Sequence, residues 1–162
     1  MGLSASIRVS SILETSPEFD AACNSVYDDC LNLAQHAFSG VRHYQLSDAS
    51  LRLHLALTSS LPFVKQWMPS PPSEAQVDRA IAAAAKDKDT LNSDEFKAFS
   101  LLLFRDVIVC NARNRVLRQI PVGIAGIAGL GAVTRSGRGM VGSVIGVYAL
   151  GVTAAVYLSL SR

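Results

Sequence analysis

All thirteen acidic residues lie at or before Asp106, and the stretch from Val107 to Arg162 carries six arginines, no lysine and no carboxylate. Nine of the eleven glycines fall between Gly123 and Gly151 in that same stretch. The formal net charge of +2 is therefore an N-terminal part near −4 (nine basic, thirteen acidic) added to a tail near +6. A chain divided in this way predicts two parts suited to different solvents rather than one uniform core.

The division predicts a flexible N-terminus at 1–16, a helical domain at 17–118 and a glycine-rich membrane segment at 119–162. Ile120 to Val133 is uncharged for fourteen residues, Arg135 and Arg138 follow, and Met140 to Leu160 is uncharged for twenty-one. About twenty apolar residues cross a bilayer, so the second run is expected to be a transmembrane helix and the first is short for one. Gly142 and Gly146 form a GxxxG step, expected to let this helix pack closely on another in the membrane. Arg113, Arg115 and Arg118 precede the span and are read as lipid headgroup contacts rather than a nucleic-acid patch. Five arginines before the long run and one after it predict a tail-anchored protein whose soluble part faces the cytoplasm or an organelle matrix or stroma. The GxGxxG spacing of a dinucleotide loop fails at Thr134, and no acidic residue follows it to hold a ribose.

The first thirty residues lack an apolar signal core. Met1-Gly2-Leu3-Ser4-Ala5-Ser6 fits the myristoylation pattern, which makes Gly2 a lipidation candidate. A weak organellar presequence and an unmodified Ser-rich start are the rival readings. Thr15-Ser16-Pro17-Glu18 opens a first amphipathic helix whose stripe is Phe19, Cys23, Val26, Cys30 and Leu33, with Gly40 expected as its stop. Leu51, Leu53, Leu55, Leu57 and Leu61 alternate, and periodicity alone leaves helix and strand open. Pro69-Ser70-Pro71-Pro72 breaks the chain, and Ser73 with Gln76 caps a further helix. The last soluble helix is expected to bury Phe96, Phe99, Leu103, Val107 and Cys110. The three cysteines lack metal spacing and read as reduced thiols, with Cys23 and Cys30 buried.

Asp89-Thr90-Leu91-Asn92-Ser93-Asp94-Glu95-Phe96 resembles the second half of an EF-hand calcium loop and the start of its exit helix. Leu91 falls on position 8, Glu95 on the bidentate position 12, and Phe96 on the aromatic that follows. Gln45 to Leu51 is a fainter copy with Leu46 at position 8 and Ser50 at position 12. The chain resembles a plant family described as calcium-binding EF-hand proteins, with the Met1-Gly2-Leu3-Ser4 start and the glycine-rich tail as further points of likeness. The resemblance implies an all-α fold in which an EF-hand-like pair of helix-loop-helix units precedes the transmembrane tail, and it makes helix of the alternating leucines. A solvated charged loop between two helices is the competing reading of the Asp89 run.

The departures from the family pattern bear on function. Ala84, Lys86 and Lys88 stand at positions 1, 3 and 5 of the second loop, where calcium needs oxygen ligands. Asp87, Asp89 and Glu95 are thus candidates only for a weak or vestigial calcium loop, and no other cofactor is implied. His36, His43 and His54 have no nucleophile or carboxylate pattern beside them, so no enzyme is expected. The expectation is a membrane-anchored interaction or regulatory protein whose partners are the membrane and a membrane or soluble protein, with no nucleic acid. A structural accessory subunit of an organellar membrane complex is the alternative.

Overall fold

Apolar residues at every fourth position, Ala5, Val9 and Leu13, give the first segment a buried stripe, and in the computed structural model it is helix α1, Gly2–Glu14. The structure describes residues 2–85, 88–133 and 138–160, with side chains described for all of these but 2, 3, 124, 126–133 and 138–142. A flexible stretch at 1–16 is thereby corrected: three of its side chains are at most 4% exposed, and α1 packs on the helix that follows. Among the described residues the protein is mostly helical, with seven α-helices and one two-stranded sheet.

Helix α2, Pro17–Leu33, starts as its sequence dictates: Pro17 needs no N–H partner, and the Ser16 hydroxyl accepts from the Phe19 N–H at 3.2 Å. It buries Phe19, Cys23, Val26 and Cys30, whereas Leu33 is 61% exposed, so the stripe ends one turn before the expected residue. The helix ends at Leu33 rather than near Gly40. His36 N–H donates to the Leu31 carbonyl and Gln35 N–H to the Asn32 carbonyl, both at 2.9 Å, which is the Schellman pattern.

The alternating leucines form a helix, α3, Leu46–Ser60, that buries Leu46, Ala49, Leu53, His54 and Leu57 and leaves Leu51 and Leu55 exposed. Helix α4, Pro62–Trp67, buries Val64 and Trp67. His54 on α3 reaches past it, its Nε2–H donating to the Met68 carbonyl at 2.8 Å. After the proline break α5, Glu74–Ala84, is capped as expected, with Ser73 N–H donating to Gln76 Oε1 at 2.9 Å.

Strand β1, Val41–Arg42, and strand β2, Thr90–Leu91, pair antiparallel, Val41 opposite Leu91 and Arg42 opposite Thr90. Position-8 residues of paired EF-hand loops bridge each other, so the sequence reading with Leu46 and Leu91 at position 8 implies Leu91 opposite Leu46 instead. Leu46 cannot serve because it is the first residue of α3, whereas β-branched Val41 suits an extended backbone. Gly40 permits the approach, since a Cβ there would collide with the Leu91 carbonyl.

Helix α6, Ser93–Val133, starts directly after β2, and α7 is Arg138–Ser159. Phe96, Phe99, Leu103, Phe104, Val107 and Ile108 on α6 are buried, but Cys110, expected in that row, is exposed. Phe104 meets Phe19 of α2 edge-on at 6.3 Å, and Lys97 pairs with Asp20, so α6 closes over α2. Each such buried phenylalanine contributes about 2–3 kcal/mol of transfer free energy. The chain forms two units, Met1–Val109 and Cys110–Arg162, so the boundary falls before Arg118.

Candidate functional site

The β1–β2 pairing joins two helix-loop-helix units, α2–α3 and α5–α6, at their loops. With Val41 and Leu91 each as the eighth residue, the first twelve-residue window runs from Ala34 to Gln45 and the second from Ala84 to Glu95. The first window contains no carboxylate, and its last residue is Gln45 rather than Ser50.

Both twelfth residues turn back onto the ninth. Arg42 N–H donates to Gln45 Oε1 at 3.0 Å, and Asn92 N–H donates to Glu95 Oε2 at 3.0 Å. Glu95 N–H in turn donates to Asn92 Oδ1 at 2.9 Å, which completes a capping box at the start of α6. The spacing Asn92-Ser93-Asp94-Glu95 carries that signal in the sequence, where Glu95 was assigned only as a ligand.

Each loop also holds an internal donor or cation. Gln45 Nε2 donates to the Cys30 carbonyl at 3.0 Å, tying the residue just before α3 to the end of α2 within the first helix-loop-helix unit. The Arg42 guanidinium lies 4.6 Å from the centre of the Phe38 ring. In the second loop Lys88 Nζ donates to Glu95 Oε1. That hydrogen bond, followed by the Asn92 N–H, holds the Glu95 carboxyl below the ordinary carboxylate value.

Of the three candidate calcium ligands, Glu95 is thus committed to Lys88 and Asn92, Asp89 is exposed, and Asp87 lies outside the described residues. Among the described residues no three His, Cys, Asp or Glu side chains converge as a metal site. His36 bonds Asn32 Oδ1 through Nε2 at 3.0 Å, far in role from His54 in the α3–α4 packing, and the histidines form no common centre.

A cleft of about 250 Å³ opens beside the first loop, lined by Cys30, Leu33, Ala34, Tyr44, Gln45 and Asp48. Burial, and then the Asp48 carboxylate, push the Cys30 thiol up, and burial pushes the Cys23 thiol up to about 12. Both are protonated thiols at neutral pH, the opposite of an activated nucleophile. Leu33 and Tyr44 at the cleft are 61% and 70% exposed, and Leu51 and Leu55 are further exposed apolar residues on α3.

In the second unit α6 and α7 approach closely. The Tyr148 ring lies where a Cβ on Gly123 would stand, and its hydroxyl donates to the Gln119 carbonyl at 3.3 Å. Gly146 has open space around it, and the surroundings of Gly142 lie outside the described residues, as does any side-chain account of Gly2. Arg113, Arg115 and Arg118 are exposed on α6. A helix stands where the membrane-crossing run Met140–Leu160 was expected, but among the described residues no helix is long and apolar enough to cross a membrane.

Comparison with family models, curated proteins and solved structures finds no match to this chain.

Proposed function

We propose that this chain is a metal-independent, EF-hand-like interaction module held at a membrane by its C-terminal helical hairpin. The observation that carries the reading is the antiparallel pairing of Val41 with Leu91 between the loops of two helix-loop-helix units. Paired loops of this kind support each other through a short backbone bridge, and the bridge needs no ion when each loop satisfies its own polar groups. Lys88 on Glu95 and Gln45 on Cys30 supply that satisfaction here. The binding face is the cleft at Cys30 and Asp48 with its exposed lining residues Leu33 and Tyr44. Attachment to the membrane draws its support from the acid-free, arginine-bearing composition after Asp106.

Calcium titration calorimetry on the full-length protein tests the metal-independent reading. No saturable heat is expected at micromolar calcium, because sensor loops with dissociation constants of about 10⁻⁷–10⁻⁵ M need several carboxylates around the ion. A saturable signal in that range, abolished by Glu95→Gln, would restore calcium sensing.

A further inference from the structure

Among the described residues, the outward face of α7 is apolar and exposed. Val144, Val147, Leu150 and Leu158 are 47%, 71%, 73% and 60% exposed, and a Cβ added at Gly151, between them on the same side, would meet no atom within 4 Å. Tyr148, on another side, is the residue that packs against α6. On α6 Val122 is 76% exposed, with the exposed Arg118 one turn before it.

We propose that the C-terminal hairpin lies flat in an anionic membrane surface, with the outward face of α7 in the headgroup–acyl boundary and the arginines on lipid phosphates. This rests on the reading of the hairpin as the membrane attachment. The lipid charge follows from the six arginines and absent carboxylates after Asp106. The flat orientation follows from one contact. Tyr148 stands near the middle of α7, and it touches Gly123 and bonds the Gln119 carbonyl. If α7 crossed the bilayer, its middle would sit at the bilayer centre and would carry Gln119 and the adjoining Arg118 there with it. A guanidinium at that depth is strongly disfavoured. Laid flat, the hairpin keeps Arg113 and Arg118 at headgroup level while Val147 and Leu150 leave water.

Flotation of the full-length protein with vesicles of phosphatidylcholine alone, or of phosphatidylcholine with phosphatidylserine, reads the headgroup dependence. Binding is expected on the anionic vesicles only, weakened by salt, and reduced roughly fivefold by each of Arg113→Gln and Arg118→Gln. Val147→Asp with Leu150→Asp should abolish it with an unchanged circular dichroism spectrum, since both side chains are exposed. Spin labels at Val144→Cys, Val147→Cys, Leu150→Cys and Leu158→Cys, in a Cys110→Ser background, should report one shallow depth. A depth that peaks at 147–150 and falls toward 144 and 158 would mean a crossing helix and would overturn the flat orientation. Equal binding to neutral vesicles would overturn the anionic surface while leaving membrane attachment standing. Failure to bind either vesicle would remove both.

Discussion

Glu95 is tied by Lys88 on one oxygen and by the Asn92 N–H on the other, so its proton affinity is coupled to the fold of the second loop. Its carboxyl is held below the ordinary value, and a depressed acid contributes stability above the unfolded-state pKa that is lost as pH falls through the folded one. Lys88→Met is therefore expected to be less stable than the parent at neutral pH, with the gap closing as the solution is acidified below the carboxylate range. Urea unfolding midpoints of the two proteins across pH measure this. A gap that persists unchanged into acid would show that the lysine acts through its packing. Lys88 is exposed and Glu95 half-buried, so added salt should narrow the gap in part. The capping role of Glu95 was present in the sequence as an Asn with Glu three residues later. The ligand role drew the same residue because position 12 and a helix cap ask for one carboxylate at one spacing, and only the position of Lys88 in space separates the two.

At the scale of elements, helical spacing and the capped starts of α2 and α5 were legible, and the C-terminal end of α2 was not. The alternating leucines divide by burial, Leu53 and Leu57 inward and Leu51 and Leu55 outward, because a helix sorts neighbours by three and four. The first loop's bridging residue lies five residues before Leu46, at Val41. Leu46 resembles an apolar eighth position, yet the bridge needs an extended residue beside a glycine, which Gly40-Val41 supplies. With Gly40 used there, α2 terminates on residues with side chains: Gln35 and His36 adopt φ of 51° and 54°. The left-handed region costs a residue with a Cβ about 1 kcal/mol that glycine avoids. Gln35→Gly is expected to stabilise the protein by roughly 0.5–1 kcal/mol, offset in part by the freer unfolded chain. It should raise the thermal midpoint by about 1–4 °C for a chain of this size. A lower midpoint would mean that the Gln35 side chain makes a contact worth more than the strain it imposes.

For the whole molecule, the chain forms two units whose junction lies within α6 at Val109–Cys110, whereas the charge and glycine asymmetry points to a change at 118–119. Composition could not locate it, since the change of unit falls inside a continuous helix and Arg113 to Arg118 read equally well as the end of one part or the start of the next. The tail glycines were also assigned by motif rather than by partner. Gly146 of the GxxxG step faces open space, and Gly123 makes the close approach, because the Tyr148 ring needs a missing Cβ. Gly123→Leu is accordingly expected to displace Tyr148, break its bond to the Gln119 carbonyl and loosen α7 from α6. Hydrogen exchange in residues 144–152 should then speed up by at least tenfold, the loss of about 1.4 kcal/mol of local protection. Trp67, the single tryptophan, is 2% exposed and belongs to the first unit, whose unfolding it reports. Its emission and urea midpoint should stay at parental values in Gly123→Leu. Parental exchange in α7 would refute the glycine–tyrosine packing, whereas a parallel fall in the Trp67 midpoint would show that the two units unfold as one.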